Sequence, residues 1–181
     1  MRARHPVVWL MTDERMGAGL WPALRRLPPG AGVVFRHYGT PDRERRALFL
    51  QVRRIAKARW LVVVVAGGAL PGADGVHRAR GRGLVTWPAH DRREAIAGKR
   101  AGAAVLFVSP VYPTRSHPGA PTLGAMRAAR IGSGLGLTVI ALGGMDARRW
   151  RRVRALGFDG WAAIDAWQSA RPAAAKPRRR T

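Results

Sequence analysis

A loop rich in hydroxyl groups follows an apolar segment in the middle of the chain. It spans residues 109–124, and several prolines and glycines interrupt it. Buried strands of α/β proteins commonly end in the loops that carry binding and catalytic side chains. Hydroxyl and imidazole groups can bind an anion or orient a substrate, so we expect this loop to form a wall of a binding site. Its candidate residues are Ser109, Thr114, Ser116 and His117.

Two adjacent glycines, Gly143 and Gly144, lie between a second apolar segment and a helical one. Backbone N–H groups of such a pair can hold a phosphate at the positive end of the helix. The pair can equally serve as a tight turn. Because barrel enzymes often bind phosphate in the loops after their last strands, its position favours phosphate binding.

Arg36 ends another apolar segment near the start of the chain. A guanidinium group at a strand end is well suited to bind phosphate or diphosphate. The alternative is one more solvent-exposed arginine, of which this chain has many. The strand-end position favours a place in the site.

Two histidines stand near the ends of predicted strands. His90 precedes a predicted helix and can act as a general acid or base. His77 ends a short segment that begins at Asp74. The alternative for each is an exposed imidazole with no chemical role.

The acidic residues do not predict a metal site. Asp13 and Asp165 each follow an apolar segment, but they come from distant parts of the chain. A site for Mg²⁺ and diphosphate usually needs carboxylates that lie close together. With no cysteine in the chain, thiolate ligands, thiolate nucleophiles and disulfides are also excluded.

The candidate site residues occur in a sequence in which short apolar segments alternate with helical segments. Helices are predicted over residues 20–27, from Pro41 to 56, and over 91–100, 123–131, 146–156 and 165–169. In the second helix, Leu48, Val52, Ile55 and Ala56 form the inward stripe, and Arg45, Arg46, Arg53 and Arg54 the solvent face. Strands are predicted over residues 6–11, 31–35, 60–65, 74–77, 83–86, 103–108, 137–142 and 159–164.

This alternation predicts an α/β fold, a small (β/α)₈ TIM barrel. Residues 67–73 are too few for a full crossover helix, so at least one helix is shortened or missing. A flavodoxin-like open sheet is the alternative, but it needs only about five strands. In a barrel, all the strand ends named above meet at one face, and the loop at 109–124 becomes part of a shared site.

The composition limits the organisation of the chain. Its 181 residues, 47% of them hydrophobic, suit one domain, which we place at residues 1–170. Residues 171–181 hold Pro, Ala and Arg without apolar periodicity and are expected to form a disordered basic tail. The longest apolar run is far below the ~20 residues of a membrane span, so a cytoplasmic protein is the expectation.

The net charge of +23, from 33 Lys and Arg against 10 Asp and Glu, raises the alternative of a nucleic-acid-binding protein. No recognition motif accompanies the charge, and the basic residues are spread over the chain. We therefore keep nucleic-acid binding as the second functional class and expect small-molecule ligands first.

The chain resembles the thiamine phosphate synthase/TenI family of (β/α)₈ barrels. The resemblance implies thiamine biosynthesis: synthases join hydroxymethylpyrimidine diphosphate to thiazole phosphate and release pyrophosphate with Mg²⁺. TenI-like relatives instead aromatise the thiazole by moving a proton with a histidine. The segments that carry the resemblance occur in the family's order, at residues 9–13, 32–36, 72–77, 108–114, 118–124, 139–145 and 157–160.

The resemblance also implies roles for individual residues. Arg36 matches the arginine of a Gln-x-Arg-x-Lys diphosphate strand. Gly143 and Gly144 match phosphate-binding glycines, and His90 matches the tautomerase histidine. Thr114 and Ser116 match hydroxyls of a Pro-Thr-x-Thr-Lys loop whose lysine is replaced here by His117.

Several positions depart from the family pattern. The polar partners of Arg36 are replaced by Val34 and Tyr38. The Mg²⁺-binding Asn-Asp pair falls on residues 65–67, the second metal aspartate falls near 78–81, and Asp165 replaces a phosphate-binding serine. We therefore expect thiamine phosphate synthase-type function with its metal-binding acids lost, or alternatively a thiazole tautomerase or a non-catalytic ligand binder.

Overall fold

A computed structural model describes residues 5–114, 119 and 121–167 of the chain. The described residues form eight parallel strands that pair in sequence order and close into a barrel. This confirms the predicted (β/α)₈ barrel. The strands are β1 (Val8–Met11), β2 (Gly32–Phe35), β3 (Val62–Ala66), β4 (Gly75–His77), β5 (Leu84–Ala89), β6 (Val105–Val108), β7 (Thr138–Ala141) and β8 (Gly160–Ala163).

The α-helices lie outside this barrel and leave part of it uncovered. Two consecutive connections, β3 to β4 and β4 to β5, are described in full and contain no helix. The helix predicted to be shortened or missing at 67–73 is therefore absent, and so is the helix of the next connection. The helices are α1 (Leu20–Arg26), α2 (Asp42–Ala58), α3 (Arg92–Arg100), α4 (Ala125–Gly132) and α5 (Ala147–Val153), with 3-10 turns at Glu14–Gly19, Arg154–Leu156 and Asp165–Trp167.

The strands are short and almost uniformly apolar because each is buried on both faces. Inward side chains fill the barrel, where the ring of Trp9 packs edge-on against Phe107 with centroids 5.1 Å apart. Outward side chains form two separate clusters. One lies under α1 and α2 on β1–β3, and the other under α3, α4 and α5 on the opposite side.

Two Asp-Gly pairs tie strands together at the amino-terminal end of the barrel. The Asp74 side chain accepts a 2.7 Å hydrogen bond from the Val63 N–H on β3, and Asp159 accepts an equal one from Val139 on β7. The glycine that follows each aspartate touches a neighbouring backbone. A Cβ on Gly160 would lie 1.8 Å from the Val7 carbonyl oxygen, so only glycine fits there.

The last described turn takes the place of an eighth helix. Trp167 stacks on Trp161 with ring centroids 5.0 Å apart, and its Nε1–H donates to the Trp9 carbonyl at 3.1 Å. The Arg26 guanidinium on α1 donates to the Trp167 carbonyl at 3.1 Å. One tryptophan therefore covers the seam at which β8 meets β1.

Two predictions at the level of elements were wrong. β5 does not end at Thr86: it continues through Pro88, which pairs in register with Phe107 on β6, so Thr86 is buried within the strand. Arg45 does not lie on the solvent face of α2 but is only 6% exposed. The expected disordered tail at 171–181 lies outside the described residues.

The start of α5 and the end of the turn that follows it are well defined. The Asp146 side chain accepts a hydrogen bond from the Arg149 N–H at the start of α5, and Gly157 adopts the left-handed conformation after the turn that follows it. None of the helices in the described part of the chain is long and apolar enough to cross a membrane.

Candidate active site

A cavity of about 450 Å³ opens at the carboxyl ends of the strands. Most of the predicted site residues line it: Arg36, His90, Ser109, Thr114, Gly143 and Gly144. Ser116 and His117 lie outside the described residues, so their part in the site stays a prediction. The barrel therefore brings together side chains that are more than a hundred positions apart in the chain.

Arg36 is fixed at the end of β2 by the end of β1. Its backbone N–H donates to the Thr12 hydroxyl at 3.0 Å, and its Nε–H donates to the Thr12 carbonyl at 2.9 Å. Its side chain is 21% exposed, and burial lowers the pKa of the guanidinium, against the opposing effect of Asp13. A partly desolvated, pre-oriented cation of this kind binds anions strongly.

Asp13 is already engaged by two arginines. Its carboxylate accepts hydrogen bonds from Arg15 at 2.6 and 2.8 Å and lies 3.5 Å from an Arg36 nitrogen. The side-chain hydrogen bond from Arg15 is the largest cause that lowers the pKa of Asp13 to about 2. Asp13 is therefore ionised and serves as a counter-charge.

Arg45 reaches the same corner of the barrel from α2. Its Nε–H donates to the His37 carbonyl at 3.0 Å, and a terminal nitrogen donates to the Ala66 carbonyl at the end of β3. Its guanidinium also lies over the Phe35 ring, 5.5 Å from the centroid. Backbone carbonyls and an aromatic face thus hold a buried positive charge.

Arg78 follows β4 directly and lines the cavity. Its backbone is left-handed, with φ of 58°, which is uncommon for a residue that carries a Cβ. The Arg78 N–H donates to the Thr86 carbonyl at 2.9 Å, which holds this conformation in place.

His77 lies on the cavity wall between these cations and is only 5% exposed. Its Nδ1 hydrogen-bonds the Thr86 hydroxyl at 2.9 Å. Burial, followed by the charges of Arg36 and Arg78, lowers the pKa of His77 to about 3. The imidazole is therefore neutral, and both guanidinium groups lie close enough to act on it.

His90 follows the end of β5 and pairs with a carboxylate one helical turn away. Its Nδ1 lies 2.8 Å from Glu94 Oε2, and the same oxygen accepts the His90 backbone N–H at 2.7 Å. Asp91 caps α3 by accepting the Glu94 N–H at 2.8 Å. This arrangement orients the ring of His90, which lines the cavity. Its role in proton transfer stays a prediction.

The Gly143–Gly144 pair packs tightly against the loop after β6. The Val111 N–H donates to the Leu142 carbonyl at 2.9 Å, and the Tyr112 N–H donates to Gly143 at 3.1 Å. A Cβ on Gly143 would lie 2.7 Å from the Pro110 Cα. The pair therefore forms a tight turn against this loop. Its phosphate-binding role stays a prediction.

Asp165 lines the cavity near these glycines, where a phosphate-binding serine was expected. The side-chain hydrogen bond with Asp13 is the largest cause that raises the pKa of Arg15, and the charge of Asp165 is a smaller one. A carboxylate at this position repels a phosphate.

The end of β3 lacks the carboxylates that would hold the Mg²⁺ implied by the family resemblance. Magnesium is usually bound by one or two carboxylates together with substrate phosphates and waters. Within residues 5–114, 119 and 121–167, no group of three or more His, Asp or Glu side chains could hold a metal ion. The positions at the end of β3 carry Val65 and Ala66, which are buried apolar residues.

Comparisons with known proteins support the resemblance. A family model described as thiamine monophosphate synthase matches residues 69–167. Thiamine-phosphate synthase of Geobacillus thermodenitrificans (strain NG80-2) is 33% identical over 194 aligned residues, which cover 94% of this chain and 87% of the relative. The chain belongs to the thiamine monophosphate synthase family. Because this match covers 94% of the chain, it includes β2, which lies outside the range of the family model.

Two further proteins illustrate the similarity. Thiamine-phosphate synthase of Desulfitobacterium hafniense (strain Y51) is 38% identical over 74 residues, which cover 40% of this chain and 36% of that protein. The solved structure of thiamine phosphate pyrophosphorylase from Pyrococcus furiosus superposes with a TM-score of 0.77, covering 91% of this chain and 88% of that one. At 22% identity, this likeness shows the fold alone.

Two arginines were missed by sequence reasoning: Arg78 at the cavity wall and Arg45 behind it. Arg45 follows the helical pattern of a solvent-facing residue, and its burial depends on carbonyl groups from two distant strand ends. Arg78 had a usable signal, since it follows His77 directly and stands near the expected second metal aspartate.

Proposed function

We propose that this barrel joins a pyrimidine diphosphate to a thiazole phosphate, as a thiamine phosphate synthase does. One observation carries the proposal: the cavity has candidate anion sites on two opposite sides. Arg36 stands at the end of β2, and Gly143 and Gly144 follow β7. Two phosphorylated substrates that react with each other need two such sites, with their rings between them.

We assign the diphosphate to Arg36 and the thiazole phosphate to the side of Gly143 and Gly144. Ser109 and Thr114 line the cavity wall between β5 and β7, where hydroxyls can orient either substrate. Ser116 and His117 are proposed to extend this wall. The cavity volume of about 450 Å³ suits small aromatic ligands.

The chemistry balances without an oxidant or reductant. The thiazole nitrogen uses its lone pair to form a bond to the methylene carbon of the pyrimidine. The bond from that carbon to the diphosphate oxygen breaks, and the electron pair leaves with the diphosphate. Negative charge grows on the leaving group, so cations fixed around it lower the barrier.

The direct test incubates the pure protein with hydroxymethylpyrimidine diphosphate and thiazole phosphate, with Mg²⁺ or with EDTA, and measures thiamine phosphate. We expect product, and we expect Arg36→Gln to lower kcat/KM by about 10²-fold. Absence of product in both conditions contradicts the proposal. Arg25→Gln, which removes an exposed charge from α1, is the matched control.

A second function is favoured by the His90–Glu94 pair. An imidazole oriented by a carboxylate is suited to move a proton, which is the chemistry of a thiazole tautomerase. Incubation with unaromatised thiazole phosphate alone tests it. If product forms and His90→Ala abolishes it, while the coupling reaction gives none, the tautomerase assignment replaces the synthase.

No product in either assay leaves a non-catalytic binder. Titration with thiazole phosphate then decides whether the cavity retains its ligand. A binder is expected to lose affinity in Arg36→Gln, whereas a protein without this function shows no saturable binding in either form.

A further inference from the structure

Three guanidinium groups from the described residues converge on the corner formed by the ends of β2, β3 and β4. Arg36 follows β2 directly, and Arg78 follows β4 directly. Arg45 lies buried between the ends of β2 and β3, bound to the carbonyls of His37 and Ala66. Arg36 and Arg78 line the cavity, and Arg45 stands behind it.

Apolar and aromatic groups line part of this corner. Ala66 belongs to the apolar interior of the barrel. Gly67 faces Tyr38 so closely that a Cβ would lie 2.8 Å from the phenol ring, and the same Cβ would lie 3.9 Å from an Arg45 nitrogen. Two carboxylates lie nearby: that of Asp13 is held by Arg15 and Arg36, and that of Glu14 accepts the Gly39 N–H at 2.8 Å.

The electrostatics of this corner suit an anion and oppose a divalent cation. Both cavity arginines act on His77, where their charges add to burial in lowering its pKa. A metal ion placed here would meet like charges from Arg36, Arg45 and Arg78. A diphosphate would meet opposite charges on fixed groups, two of which can donate hydrogen bonds into the cavity.

We propose that this corner binds diphosphate directly, with Arg36 and Arg78 as its ligands and without a divalent metal ion. Arg45 acts as a positioning residue that adds positive charge from behind. The identification of the diphosphate as part of a substrate rests on the proposed function, whereas the site itself does not. In this chain, guanidinium groups take over the charge compensation that Mg²⁺ supplies in the synthases that it resembles.

Isothermal titration calorimetry of the full chain with inorganic diphosphate tests the site separately from catalysis. The titration is run with EDTA and again with Mg²⁺. We expect saturable binding in EDTA and an affinity that Mg²⁺ raises by less than about three-fold, since a fixed guanidinium site gains nothing from the metal. Absence of binding in EDTA overturns the proposal.

Two variants locate the site. Arg78→Gln is expected to weaken diphosphate binding by about ten-fold or more, the usual effect of losing a charge-assisted hydrogen bond. Arg80→Gln removes the same charge two residues further along an exposed segment outside the cavity wall, and is expected to bind as the parent does. Equal losses in both variants would mean that net charge and not this corner holds the diphosphate, and would overturn the proposal.

The synthase assay distinguishes failure of this inference from failure of the proposed function. Diphosphate binding in EDTA without any coupling product supports the site and contradicts the synthase. Coupling product that forms with Mg²⁺ and disappears in EDTA supports the synthase and overturns the metal-independent site.

Discussion

At the scale of single residues, two buried histidines make the barrel sensitive to acid. His77 has its pKa lowered to about 3, mainly by burial, and burial also lowers the pKa of His37, which stacks on Phe35. In the unfolded chain these imidazoles take up protons as the pH falls below about 6.5. Because the folded state binds fewer protons there, acidification favours unfolding.

We therefore predict that the free energy of unfolding falls as the pH decreases from about 6.5 toward about 3. His77 alone contributes a slope of about 1.4 kcal/mol per pH unit in that window. Urea denaturation at about pH 7 and about pH 5 measures it. His77→Gln is expected to remove this part of the slope, and an unchanged slope would show that the pKa of His77 is the same in the folded and the unfolded protein.

At the scale of elements, the contact between the loops after β6 and β7 depends on glycine. Gly143 has φ of 92°, and a Cβ there would meet the Pro110 backbone, whereas Gly134 has φ of 69° and nothing within 4 Å of its Cβ position. We predict that Gly134→Ala costs about 1–2 kcal/mol, from its backbone conformation alone. Gly143→Ala is expected to cost about 1–3 kcal/mol more, because the loops must separate.

Thermal unfolding of the two glycine variants measures this difference. Because both variants require a left-handed alanine, their comparison isolates the close approach of the loops. Equal stabilities would show that the two loops can part without cost.

The single turn that replaces an eighth helix gives a second prediction for an element. Trp167 stacks on Trp161 and donates to the Trp9 carbonyl, so its removal opens the seam between β8 and β1. We predict that Trp167→Ala lowers the free energy of unfolding by about 3 kcal/mol. Trp60→Ala, at a side chain that is 80% exposed, is the control and is expected to change it by less than about 0.5 kcal/mol.

Chemical denaturation of both tryptophan variants provides the measurement. A similar small effect from each would mean that the seam is closed without Trp167, and that the strand pairing of β8 with β1 is sufficient.

The same scale shows how far the sequence determines the fold. The strands were predictable because all eight are largely buried on both faces and therefore appear in the sequence as short apolar segments. The length of β5 was not predictable from the sequence, because a proline such as Pro88 is uncommon inside a strand. Its pairing with Phe107 depends on the neighbouring strand, which no local pattern reveals.

The candidate site was predictable where it uses strand ends. Arg36, His90, Gly143 and Gly144 all follow strands, and the parallel topology brings them to one cavity. The burial of Arg45 was beyond the sequence, because α2 presents it in a row with exposed arginines. Only the tertiary structure supplies the two backbone carbonyls that hold its charge.

At the scale of the whole molecule, the net charge of +23 acts on every anionic ligand. A surface of this sign accelerates the encounter with phosphorylated substrates, and salt screens it. We predict that the association rate of diphosphate falls as the ionic strength rises, whereas the Arg78→Gln effect persists at high salt. Stopped-flow binding at two ionic strengths checks this prediction.

The positive charge also gives a test that separates small-molecule binding from nucleic-acid binding, the second functional class. A nucleic-acid-binding protein would lose affinity for DNA steeply with salt. If the cavity and not the basic surface is the functional feature, excess duplex DNA leaves the diphosphate titration unchanged at physiological salt. Displacement of the diphosphate by DNA would favour the nucleic-acid alternative.

The hydrogen bonds from Val111 and Tyr112 to the loop after β7 continue the pairing of β6 with β7 beyond the ends of both strands. We therefore expect that side of the cavity mouth to move as one body with the sheet. Amide hydrogens at these two positions are expected to exchange with deuterium as slowly as those inside the strands. We expect any widening of the mouth to involve the β3 to β4 and β4 to β5 connections, which carry no helix in this fully described part of the chain.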